Sequence, residues 1–337
     1  MKALRAGRKT WAIIGIAFAF AIAASLLPDV PYQRWQLLDG TIHARARWIY
    51  ERVHYDPTPI DVVFIGPSRV GAAVSAPRLS RRLAEAGLPS HVVNFSLPET
   101  GRDINATIFD EMLKRKQPKL VVIGVIEKPS RYGHAAFKYI APAGDLARPP
   151  FFGSISYLPD LIYLPYRQME LFTARFMPSA LGLSEQFDPR KYPGSAVETT
   201  GDVILPDGTV KNGTVPASAA ELARGVAKLE RGMTAPLLGP ALADVEFGDE
   251  RHYIRHIVAA ARAHGVRVAF LALPYYTGPS SLQEDAFYRN SGPVWNAGFL
   301  ASHAEWYGDY GHLTSTGAGV LTDWLVQPVS AELQGHP

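Results

Sequence analysis

Two short stretches at opposite ends of the chain hold the residue types that acyl chemistry needs. The first is Asp61-Val-Val-Phe-Ile-Gly-Pro-Ser68-Arg69, where an apolar run stops at Gly66-Pro67 and leaves a serine. The second is Asp309-Tyr-Gly-His312-Leu-Thr. A serine hydroxyl is a weak nucleophile at neutral pH. A neutral histidine can take its proton, and a carboxylate on the other ring nitrogen fixes the tautomer and stabilises the imidazolium. Asp309 and His312 are three residues apart, so a turn can fold the carboxylate onto the ring. Each residue alone has a plainer reading: Ser68 as a turn serine, His312 at a helix start, Asp309 as a cap. Their joint placement makes Ser68, His312 and Asp309 the expected catalytic set, with His312 as base and then acid.

These loops need a frame that brings them together. The run at 60–65 reads as a buried strand. A helix over Leu79–Ala86 follows, closed by Gly87 and Pro89. His91–Phe95 is a short second strand. Ile104, Ile108 and Met112 recur at spacing four, which predicts a helix that Thr100 could cap. Leu120–Val125 is a third strand, apolar throughout and so buried on both faces. The alternation argues for a parallel sheet with right-handed crossovers. Ligands bind such sheets at the carboxyl edge, where Ser68 would sit. From Arg251, Ile254, Ile257, Val258 and Ala261 form a helical stripe capped by Gly265. Val266–Leu273 is a fourth strand, and a short fifth is expected near His303–Trp306. A helix should begin near Ser315.

Between these halves the pattern breaks. Residues 129–250 are rich in Pro, Gly and Tyr, read as a long insertion able to cover the mouth of a site. Tyr157–Tyr166 is an aromatic stretch interrupted by prolines, suited to core or lid packing or to a sugar platform. Val203–Val210 reads as a hairpin turning at Asp207-Gly208.

The 337 residues are 47% apolar and carry a net charge of +3. The apolar content suffices for a large core. The charge is too small and too scattered to argue for nucleic acid. There is no cysteine, hence no disulfide framework and no cysteine metal site. His134, His252, His256 and His264 show no metal spacing, so no metal and no cofactor are expected. Lys2, Arg5, Arg8 and Lys9 precede the uncharged run Trp11–Leu27, near the lower limit for a membrane-spanning helix. This predicts an N-terminal anchor with its N-terminus cytoplasmic; a cleaved signal peptide is the alternative. The expected organisation is a tail and anchor over 1–27, a connector with amphipathic helical character over 28–58 (on the body or at the membrane surface), a main domain over 59–328, and a tail over 329–337.

Taken in order, strand-Gly-x-Ser68, Asn94-x-Ser-x-x-x-x-Gly101, a strand-three block and Asp309-x-x-His312-Leu-Thr-x-x-Gly317 resemble the SGNH/GDSL hydrolases. The resemblance covers roughly residues 59–128 and 250–328 and implies a flavodoxin-like sheet of about five strands. It also implies that the amides of Ser68 and Gly101 form an oxyanion hole. It is closest to the membrane-anchored branch that includes the D-alanyl-transfer protein of teichoic acid synthesis and the alginate acetylation proteins. That implies a bacterial inner-membrane protein with a periplasmic body. Its activity would be O-acyl transfer, with acetyl the expected group, or ester hydrolysis on a cell-envelope or exported polysaccharide, beside a membrane-bound O-acyltransferase. Two positions depart from the pattern: Pro67 replaces an Asp, and Ile126 replaces an Asn that donates to the oxyanion. Lys128 or Arg131 could substitute. Arg69, Asn94 and Glu127 are possible substrate-binding residues. The missing Asn keeps open an inactive scaffold that binds glycan or an acyltransferase.

Overall fold

The computed structural model describes residues 7–147 and 156–335. Lys2 and Arg5, part of the insertion at 148–155, and the last two residues lie outside it. Strand β1 (Val62–Ile65) is wholly buried because its four residues alternate between two apolar layers. Val63 and Ile65 point to one core, Val62 and Phe64 to the other. Strands β2 (Val92–Asn94) and β3 (Leu120–Val125) flank it, both parallel to it. Antiparallel β4 (Val203–Ile204) and β5 (Val210–Lys211) form a separate hairpin. Strands β6 (Arg267–Ala272) and β7 (Val294–Asn296) complete the main sheet in the order β2-β1-β3-β6-β7, all parallel. This is an α/β fold, and the strand order is consistent with a flavodoxin-like sheet. The order reverses between β1 and β3, so a crevice opens there at the carboxyl edge, where β1 runs into Ser68.

Helices α1 (Arg8–Ser25), α2 (Pro31–Gln36) and α3 (Arg45–His54) precede the sheet. Helices α4 (Ser68–Ala73), α5 (Ala76–Glu85) and α6 (Arg102–Leu113) connect its first strands. The insertion contributes α7 (Phe137–Ile140), α8 (Ala143–Ala147), α9 (Tyr157–Ala174), α10 (Ala219–Gly232) and α11 (Ala243–Glu246). Helices α12 (Gly248–Ala263), α13 (Asp285–Arg289) and α14 (Ser315–Gln334) complete the chain. One sheet face is covered by α3, α6 and α12, the other by α4, α5 and α14. The helix continues to Gln334, so most of the expected tail is α14.

Of the two placements expected for the connector, the structure has it on the body. Trp35, Trp48 and Ile49 are buried in the core. Arg52 donates to the carbonyls of Ser195, Thr58 and Pro59. Its guanidinium thereby ties the insertion to the segment before β1.

Three expectations need correction. Among the described residues, no helix is long and apolar enough to cross a membrane. The helix of the expected span ends at Ser25 rather than Leu27 and starts with two charged residues, leaving it short of the ~20 apolar residues a bilayer core requires. Residues 9–20 are nonetheless exposed, Trp11, Ile13, Ile16, Phe18 and Phe20 among them. Tyr157–Tyr166 is not irregular but the first half of α9. Pro159 sits in the first turn, where no amide is needed, and Pro165 interrupts only one hydrogen bond. Buried Arg167 holds this helix to the body by donating to the carbonyls of Lys138 and Ala141 at the end of α7. Finally, the fifth strand lies at Val294–Asn296, not near His303. It has only three residues, too few for a readable alternation. Residues 304–306 form a tight 3-10 turn instead.

Candidate active site

The nucleophile candidate sits where β1 turns into α4. Gly66 adopts φ +153°, and a Cβ there would meet Val70 Cγ2 at 2.7 Å and Gly124 Cα at 3.3 Å. Only glycine permits that turn between adjacent strands. Pro67 precedes the first helical residue, Ser68. Asn94 steadies the other end of α4: its buried amide donates to the Val70 and Val74 carbonyls at 3.0 and 2.9 Å. It therefore positions backbone and does not face substrate.

The second stretch folds back on itself. Tyr307 and Leu313 pair in an isolated antiparallel bridge, and the Gly308 amide donates to the His312 carbonyl at 2.9 Å. Within that loop, Asp309 Oδ1 accepts from the Gly311 and His312 amides, both at 2.9 Å. The same carboxylate accepts from His312 Nδ1 at 2.8 and 2.9 Å. This places the ring proton on Nδ1 and leaves Nε2 with a lone pair, directed at Ser68 Oγ at 2.8 Å. Thr314 caps α14 behind the loop by accepting from the Gly317 amide. Serine, histidine and aspartate thus stand in one hydrogen-bonded line, assembled from loops that follow β1 and precede α14.

The loop's surroundings hold it still. Lys211, at the end of β5, donates from Nζ to Asp309 Oδ2 at 2.6 Å. Burial would raise the Asp309 pKa, but the His312 contacts, Lys211 and the Gly311 amide outweigh it and hold the carboxyl well below its usual range. The aspartate therefore stays ionised throughout the pH range where a histidine base works. Gly213 accepts from the Ser315 amide, Ala217 donates to the Tyr307 carbonyl, and Gly225 lets α10 press on the Tyr310 ring. The insertion, expected over the mouth, thus also braces the catalytic loop.

Arg69 and Glu127 form a buried ion pair with each other. A Cβ on Gly311 would meet Arg69 Nε at 2.9 Å, so the guanidinium lies directly behind the histidine loop. This pair supports the loop from beneath rather than offering charge to a substrate. Nor does Glu127 pair with Lys128, its sequence neighbour. Sequence reasoning missed Lys211 and the Arg69–Glu127 pairing. Neither has a local signal, because each partner is brought in by the fold.

The amide of Ser68 is the first of a helix and lacks an intrahelical acceptor. The Gly101 amide also has no acceptor among the described residues. Gly101, at φ +151°, packs so closely on the His134 backbone that a side chain would collide. Pro67 and Gly101 line a cavity of about 370 Å³ together with Ile126, Lys128 and Arg131. Arg131 is engaged with Glu246. Lys128 has no ion-pair partner among the described residues, which makes it the available cation near the position where Ile126 replaces an amide donor. On the other side, Ser68 and His312 open into a second cavity of about 530 Å³.

One cluster among the described residues, His43, Glu99 and His134, brings metal-ligand atom types together. Its hydrogen bonds work against a metal. His134 Nδ1 accepts from the Ala136 amide at 3.0 Å, so the proton sits on Nε2, which donates to the Pro98 carbonyl at 2.5 Å. A nitrogen that carries a proton has no lone pair for an ion. His256, which could share a helix face with His252, instead meets Asp110 at 2.8 Å.

Comparison with known protein families, curated proteins and solved structures gives no match. The resemblance to the SGNH/GDSL hydrolases therefore rests on the motif residues alone.

Proposed function

We propose that this chain is a serine-dependent O-acyltransferase or esterase of SGNH type that works through an acyl-Ser68 intermediate. One observation carries the proposal: Ser68 Oγ, His312 Nε2 and Nδ1, and the Asp309 carboxylate form a continuous chain of contacts of 2.8–2.9 Å. His312 takes the Ser68 proton as Oγ bonds to the acyl carbonyl carbon. The carbonyl electron pair moves to oxygen, facing the Ser68 and Gly101 amides. Collapse expels the leaving group, which collects the proton from His312. A glycan hydroxyl or water then gives its proton to His312, attacks the acyl carbon, and releases Ser68 by the same path.

The resemblance supports a cell-envelope or exported polysaccharide as acceptor and a membrane-bound O-acyltransferase as partner and source of the acyl group. The exposed apolar surface of α1 supports attachment to the bacterial inner membrane. Lys2 and Arg5, with Arg8 and Lys9 in the first turn of α1, support a cytoplasmic N-terminus and a periplasmic body.

Incubation with p-nitrophenyl acetate, read by intact mass, tests the chemistry. The expected result is one added acetyl on the wild type and none on Ser68→Ala. A second reading, an inactive scaffold that binds glycan or an acyltransferase, is favoured by one observation, the apolar Ile126 where an oxyanion donor is expected. Absence of both acetylation and fluorophosphonate labelling at Ser68 would select it.

A further inference from the structure

The two sides of the nucleophile differ in chemistry. The smaller cavity carries Lys128 and Arg131. The larger one, which holds Ser68 and His312, is walled by Ile42 from the connector, Ala72 from α4, Val203, Leu205 and Pro206 from the hairpin region, and Leu313. Ile42 and Val203 are 44% and 47% exposed, so large apolar side chains from distant parts of the chain stand uncovered around one cavity. Most of the charge in these walls is already engaged. Arg45 donates to Ser96, and Lys211 is held by Asp309. Glu99 lies half-exposed, beside His43. The hairpin wall is fixed to the catalytic loop through Lys211, and through the Ser315 amide on the Gly213 carbonyl.

Resting on the acyl-Ser68 reading, we propose that this cavity binds the hydrocarbon chain of the transferred acyl group, and that the preferred group is a linear chain of medium length rather than acetyl. The methyl of an acetyl group would leave almost all of the 530 Å³ to water. A chain of about eight carbons fills roughly half of it, counting about 30 Å³ per water-sized group. Burying each methylene is worth about a fourfold gain in kcat/KM, through about 0.8 kcal/mol of apolar transfer.

The test uses the full chain in lipid nanodiscs with p-nitrophenyl acetate, butyrate, hexanoate and octanoate. The expected result is a kcat/KM that climbs about fourfold per methylene towards octanoate. Ala72→Phe, which fills the cavity, should cut the octanoate-to-acetate ratio by about tenfold or more. Val203→Trp, at a half-exposed position, reads the same ratio should Ala72→Phe fail to fold. A flat or falling series, or a ratio that neither variant moves, overturns the proposal while fluorophosphonate still labels Ser68. Loss of labelling at Ser68 overturns the acyl-enzyme reading itself, and the chain-length proposal with it.

Discussion

His312 and His134 each lie near a carboxylate and close to the loops around Ser68, yet their ring nitrogens are used in opposite ways. His312 donates a hydrogen bond from Nδ1–H to the Asp309 carboxylate and keeps Nε2 for the Ser68 hydroxyl. His134 has both nitrogens committed to backbone, accepting from Ala136 and donating to Pro98. One ring is part-exposed and able to pass a proton. The other is only 2% exposed and held neutral, burial and the nearby His43 pushing its pKa down to about 4. The first arrangement suits catalysis. The second fastens the Pro98–Gly101 loop, and with it the Gly101 amide. Residue type and a nearby carboxylate do not separate the two cases; the free lone pair does.

Replacing either ring should expose the contrast. His312→Ala should lower kcat/KM for ester cleavage by about a millionfold, with little change in melting temperature. An intact rate in that variant would remove His312 from the chemistry. Asp309→Asn comes next, at about ten-thousandfold, because an amide can hold the ring in the wrong tautomer; a pH–rate profile would report the change in the base.

His134 should act on stability rather than rate. An unfolded imidazole takes a proton near 6.5, whereas the folded one does so only near 4. Its contribution is therefore complete above about pH 6.5 and is lost as pH falls towards 4. Across that window the wild type should lose about 3 kcal/mol relative to His134→Gln, measured as the difference between two denaturant-unfolding series. His43 titrates in the same direction. Buried Asp103 titrates in the opposite one but is present in both proteins. A pH-independent difference would mean that the ring's protonation does not matter to the fold.

The smallest effect belongs to Lys211→Met. Lys211 is half-exposed, so its pairing with Asp309 is screened by solvent. A drop in kcat/KM of about threefold is expected, larger at low salt. A loss near that of Asp309→Asn would place Lys211 within the proton-transfer unit.

Much of the frame was legible because its signals are local. The runs at 62–65 and 120–125 are too apolar to be anything but buried strands, and Asp207-Gly208 turns the hairpin as read. The fifth strand was not legible, since three residues carry no period and their pairing with β6 supplies the rest. Helix α9 was hidden by Pro159 and Pro165, whose cost is absorbed by helix position and by the buried Arg167. The N-terminal segment shows its apolar character in the sequence, but the structure ends its helix before the span expected.

At the site the division follows the same physical line. The three-residue spacing of Asp309 and His312, and the Gly66-Pro67 turn ahead of Ser68, are short-range features, so the amino-acid order alone determined them. Which nitrogen faces the serine, the pairing of Arg69 with Glu127, the reach of Lys211 to Asp309, and the apolar walls around Ser68 were decided only by tertiary structure. Each of these depends on segments far apart in the chain being brought within a few ångströms, and that proximity comes from burying two apolar layers against one parallel sheet.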